Sequence, residues 1–124
     1  MGMNIVLDTN AVLYFLAGRL VDPLPLADYY ISVITEIELL SYPLLNKDEE
    51  TEIIAFLNDV TVLDLTKDVK KSAIYFRRHY RLKLPDALIV ATAYSLKATL
   101  FTNDIKLLNI AELQVQGLVL KVES

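Results

Sequence analysis

The chain has no cysteine and a single histidine. Without thiols it can form neither a disulfide nor a thiolate metal site, and one histidine cannot build a histidine-rich zinc centre. The lack of cysteine also fits a cytoplasmic protein. No apolar run reaches the length needed to span a bilayer, and no basic region leads into an apolar segment at the N-terminus. Neither a membrane anchor nor a secretion signal is therefore expected. Glycine and proline are sparse, at three and four residues, and no repeat, linker or low-complexity segment breaks the chain.

What is present is apolar. Hydrophobic residues make up 54% of 124 residues, above the ordinary globular share. A chain of this length fits one domain, residues 1–124, that buries roughly two-thirds of its unfolded surface. The apolar surplus points to a further covered face, most simply a homodimer or partner interface. The net charge is −4, yet seven of the twelve basic residues fall between Lys67 and Lys83, where Asp68 is the only acid. An acidic protein with one basic segment can still meet a phosphate backbone there.

Short apolar runs at 4–7, 29–34, 61–65, 99–102 and 118–122 read as strands. Helical patterns fill 10–18, 35–42, 47–60, 67–80, 84–98 and 103–110. Strands of continuous apolar character alternating with helices predict an α/β fold: a three-layer α/β/α domain on a five-stranded parallel sheet. Ligands of such sheets bind at the carboxyl ends of the strands.

Four acids stand at those ends: Asp8, Glu38, Asp86 and Asp104. Each has a local explanation. Asp8 or Asn10 can cap the first helix, Thr35 and Glu38 have capping-box spacing, Asp86 follows Pro85 in a first turn, and Asp104 can cap a short helix. Together they suggest more, because several carboxylates in one cleft repel each other unless a cation joins them. Oxygen-only ligands select Mg²⁺ or Mn²⁺ over zinc. Thr9, Asn10, Thr102 and Asn103, beside the acids, could orient carboxylates or bound waters, or could serve only in turns and caps.

Four segments, "VLDTNAVL", "ISVITEIELL", "LPDALIVATA" and "LFTND", in this order and in a chain of this length, resemble a PIN domain of the small VapC-type toxins. The resemblance implies a five-stranded parallel sheet and a Mg²⁺- or Mn²⁺-dependent endoribonuclease, with tRNA or rRNA as substrate. It places Asp8, Glu38, Asp86 and Asp104 around one or two ions, with Thr102 as the hydroxyl near the metal. It further implies a homodimer with two sites near one groove, and a separate antitoxin chain that inserts into the site. The sequence departs from the pattern at "LLSYP" and at "DIKLL", so that the fourth acidic position rests on Asp104 alone.

The basic segment 67–81 sets Lys70, Arg77 and Arg81 on one stripe and Lys71 and Arg78 on the next. Lys70, Arg77, Arg78 and Arg81 are candidate RNA-backbone contacts, against the plainer reading of a solvated helix face. His79 lacks a motif and reads as a surface or packing residue. Tyr14 and Tyr42 are the tyrosines best placed to meet a base. Two other functions fit parts of the pattern: a catalytically inactive PIN domain that binds RNA or protein, and a phospho-receiver with Asp64 as phosphoacceptor.

Overall fold

In the computed structural model of the chain, residues 2–122 are described. The order is β1 (Asn4–Leu7), α1 (Thr9–Leu16), β2 (Asp28–Ser32), α2 (Val33–Leu40), α3 (Lys47–Asp59), β3 (Thr61–Leu63), α4 (Lys67–Tyr80), α5 (Leu84–Leu96), β4 (Thr99–Phe101), α6 (Ile105–Leu108) and β5 (Val115–Gln116). All strands pair in parallel, in the order β3-β2-β1-β4-β5. The expected α/β fold with a five-stranded parallel sheet is therefore present.

Successive side chains of a strand point to opposite faces, and β1 uses both. Ile5 and Leu7 join Ile31, Phe101, Ala11, Val12, Ile53 and Phe56 on one side, the side of α1 and α3. Val6 and Leu100 meet Val69, Ala73 and Phe76 of α4 and the buried stretch of α5 on the other. A strand covered on both faces has no polar side to show, which is why the run reads as continuous apolar sequence. Helix α5 is buried through Ala87 and Ile89–Ala93 and starts with a proline in its first turn. It ends at the exposed Lys97, whose φ of 52° is left-handed.

That conformation strains a residue with a Cβ and suits glycine. Lys97→Gly should stabilise the protein by about 0.5–1 kcal/mol. It should appear as a higher urea midpoint at unchanged slope; an unmoved midpoint would mean that lysine meets no strain there.

Three expectations need correction. The capping box expected at Thr35 and Glu38 does not form, because α2 starts earlier: Ser32 is its cap, with Oγ accepting from the Ile34 N–H, and Thr35 is buried inside the helix. The capping box of this chain lies at Asn46 and Glu49. The fifth strand is Val115–Gln116, whereas the 118–122 run contributes one antiparallel bridge, Leu20 to Leu120. The phospho-receiver reading fails on strand order. A receiver sheet runs 2-1-3-4-5, with the first and third strands adjacent, but here β2 separates them and Asp64 follows an edge strand.

Candidate active site

The strand order reverses between β1 and β4, since β2 and β3 lie to one side of β1 and β4 and β5 to the other. A crevice opens at the carboxyl ends of the strands at such a switch point. Asp8 directly follows β1 and Thr102 directly follows β4, and the Thr102 hydroxyl donates to Asp8 Oδ2 across 94 positions of sequence. Asp8 Oδ1 accepts from the Ala11 N–H at 2.7 Å, which makes it the cap of α1 as well. Only 6% of its surface is exposed. Thr102 Oγ1 also accepts the Asp104 N–H at 3.0 Å, and Asp104 caps α6 by accepting the Lys106 N–H at 3.0 Å.

A second network adjoins the first through the neighbouring residue. The Thr9 hydroxyl donates to Glu38 Oε1 at 2.6 Å and meets the hydroxyl of Thr35 at 3.1 Å. Glu38 reaches this position from the second turn of α2. Asp86 comes from the first turn of α5, half-buried, and none of its side-chain oxygens accepts a hydrogen bond from the described residues.

The acids feel one another. Burial raises the Asp8 carboxyl above the ordinary aspartate range, the Thr102 and Ala11 bonds oppose that rise, and the charges of Asp104 and Asp86 add to it. Burial also raises Asp86, reinforced by Asp104 and Glu38 and opposed by Lys106 and Lys83. Proximity to other acids at a half-buried position is a standing cost for the charged form. Asp104 therefore acts on both Asp8 and Asp86, Asp86 acts on Asp8, and Glu38 acts on Asp86.

Asp8 and Asp86 hold protons more tightly folded than unfolded, so stability from these groups falls as pH rises through their raised folded values. In the metal-free protein, Asp86→Asn should therefore gain stability over the parent as pH rises from about 4 to 7. Urea unfolding of both proteins across that range checks this; a difference independent of pH would contradict the raised Asp86 carboxyl.

The donor set suits a hard cation, because every candidate ligand is a carboxylate oxygen and the described residues offer no histidine or thiol there. Among the described residues no three acids are gathered into a ready coordination set. Mg²⁺ is compatible with that, since it keeps several waters and commonly takes one or two carboxylates plus substrate phosphate.

The other residues named from the sequence divide. Thr9 and Thr102 hold carboxylates. Asn103 does not: its amide is engaged with the backbone of Leu118. Asn10 is exposed, and its side chain makes no hydrogen bond with the described residues. Lys70, Arg77, Arg78 and Arg81 are all exposed. Because α4 joins α5 through residues 81–83 only, Arg81 and the last turn of α4 lie at the Asp86 end of α5. The first turn, with Lys71, instead borders the far end of α5 near Lys97. His79 stacks on Tyr75 at 5.3 Å. Tyr14 lies under the Arg19 guanidinium, and Tyr42 lines an apolar recess of about 630 Å³ with Leu13, Leu16, Pro43 and Leu44. Neither tyrosine faces the acids in these contacts. Sequence reasoning missed Thr35, whose hydroxyl it assigned to a cap, and the basic neighbours Lys83 and Lys106.

The family model of the PIN domain matches residues 5–113. Solved structures with the same fold include VapBC2 from Rickettsia felis bound to a promoter DNA fragment. It is 21% identical, covers 94% of this chain and 100% of its own, and has a TM-score of 0.79. A toxin–antitoxin complex from Klebsiella pneumoniae is 27% identical over 90% of this chain and 95% of its own, with a TM-score of 0.75. VapBC-1 from nontypeable Haemophilus influenzae is 24% identical over 93% and 98%, with a TM-score of 0.72. A comparison with curated proteins finds no match.

Proposed function

The chain belongs to the PIN domain family, and from that premise we propose that it is a Mg²⁺- or Mn²⁺-dependent endoribonuclease, the toxin of a toxin–antitoxin pair. The observation that supports the reading is the buried Asp8 carboxylate held by Thr102 at the β1–β4 switch point, with the charges of Asp86 and Asp104 acting on it and that of Glu38 acting on Asp86. These four residues would hold the ion. An ion held there would supply water activation and charge neutralisation at the phosphodiester oxygens.

The chain's own residues supply the framework. Thr102 and the Ala11 N–H hold both oxygens of Asp8, and Thr9 holds one oxygen of Glu38, so these carboxylates are oriented before substrate arrives. Asp86 keeps its oxygens free for the ion. Lys83 and Lys106, whose charges act on Asp86, would bind RNA phosphates, and the exposed Lys70, Arg77, Arg78 and Arg81 of the basic segment would extend that contact. The substrate expected is tRNA or rRNA.

In this reading residues 1–124 are one nuclease domain that works in the cytoplasm as a homodimer with an antitoxin partner. Exposed apolar side chains support a protein partner: Leu44 is 93% exposed beside the apolar recess, and Ile105 is 77% exposed near the acids. No helix among the described residues is long and apolar enough to cross a membrane.

Purified protein should cleave RNA, lose the activity to a chelator and regain it with Mg²⁺ or Mn²⁺; Asp8→Asn and Asp86→Asn should lose nearly all of it. That no three acids among the described residues are gathered into a coordination set favours one second reading, a PIN domain that binds without turnover. Saturable RNA binding with no cleavage at any metal concentration would support it instead.

A further inference from the structure

Between Thr102 and Asp104 stands Asn103, and its side chain is engaged away from the acids. Its Nδ2 donates to the Leu118 carbonyl at 3.0 Å, and its Oδ1 accepts the Leu118 N–H at 2.6 Å. The Thr102 N–H meanwhile donates to the Gln116 carbonyl at 3.0 Å. The amide thus stands in for a backbone peptide and continues the β4–β5 ladder past the end of both strands. Gly117 permits the close approach, because a Cβ there would lie 3.3 Å from Asn103 Oδ1.

The segment beyond is anchored at its other end. The Val21 N–H donates to the Val119 carbonyl at 3.0 Å, and the Lys121 N–H donates to the Arg19 carbonyl at 2.7 Å, around the Leu20–Leu120 bridge. Residues 117–121 form a strap from the end of α1 to the turn that carries the site. In that turn a single Thr102 hydroxyl donates to Asp8 while accepting the Asp104 N–H. Both bonds need the 102–104 backbone fixed.

We propose that Asn103 is a positioning residue, clamping the C-terminal strap to the β4–α6 turn so that Thr102 stays on Asp8 and Asp104 stays beside it. The activity arm of its test rests on the nuclease reading; the geometric arm does not.

The test compares Asn103→Ala with the parent, with Gly117→Ala, which presses on the clamp without removing it, and with Ile53→Val. Ile53 is a buried residue of α3 that lines the apolar recess with Leu13, Leu16 and Tyr42, so Ile53→Val serves as a control that lowers stability without altering a residue of the clamp or of the site. Titration with MnCl₂ should give Asn103→Ala about tenfold weaker binding. Its kcat on RNA should fall about tenfold at unchanged KM, with Gly117→Ala intermediate and Ile53→Val at parent values. Amide hydrogen exchange should speed up at Asp104 and Ala11 in Asn103→Ala, not only at Leu118.

Asn103→Ala that loses stability but keeps parent Mn²⁺ affinity and parent exchange at Asp104 and Ala11 would overturn the proposal. If the parent itself binds no Mn²⁺ and cuts no RNA, the nuclease reading fails, and the exchange pattern alone decides the role of Asn103. Faster exchange at Asp104 and Ala11 supports the clamp; a change confined to Leu118 overturns it.

Discussion

Asp86→Asn should lower RNA cleavage by about a thousandfold, a loss of ~4 kcal/mol of transition-state stabilisation, while stabilising the metal-free protein at neutral pH. The two effects share one cause. Asp86 is half-buried among acids, with Asp104 and Glu38 raising it directly and its own charge acting on Asp8, so its charge is costly without a cation and useful with one. Asparagine keeps the size and removes the charge. Asp8→Asn should behave alike in activity, since its Oδ1 can still accept from Ala11 and the fold keeps its α1 cap. The measurement pairs single-turnover cleavage with urea unfolding, both variants against the parent. Cleavage lost together with stability would make these acids structural. Cleavage unchanged would assign the activity to a contaminating nuclease.

Phe76→Ala should cost about 3–5 kcal/mol, a large part of the roughly 5–15 kcal/mol that holds a typical domain together. Phe76 is 1% exposed and sits where α4 crosses α5. Its ring meets Tyr94 edge-on at 5.4 Å and Tyr75 edge-on at 5.1 Å. Truncation removes this contact and leaves a cavity between α4 and the helix that carries Asp86. Urea unfolding should give a much lower midpoint, and activity should fall only with the unfolded fraction. A loss below about 1 kcal/mol would mean that neighbouring rings collapse into the space.

Much of this was legible in order along the chain. The apolar run 4–7 and the buried pattern of 84–98 marked a central strand and a buried helix because the covered faces of a parallel sheet demand apolar side chains at nearly every position. The last strand was not legible. Residues 118–122 are more apolar than Val115–Gln116, but an edge pairing is chosen by backbone hydrogen bonds, here from Leu100 to Gln114 and from Thr102 to Gln116. Backbone bonds leave no mark in hydrophobicity. Thr35 failed for a similar reason. T-x-x-E spacing fits a cap equally well wherever the helix begins, and the start at Ser32 turned Thr35 inward to Thr9.

By itself the sequence determined the fold class and the exclusion of thiol and histidine-rich metal chemistry, and it singled out four acids as candidates, because composition and helix or strand periodicity are local properties. Tertiary structure alone decided that Thr102 holds Asp8, that Thr9 holds Glu38, and that Asn103 serves the C-terminal strap. Those partners lie 94, 29 and 15 positions apart, and a hydrogen bond depends on where two atoms finish in space, which only the packed sheet and its strand order fix.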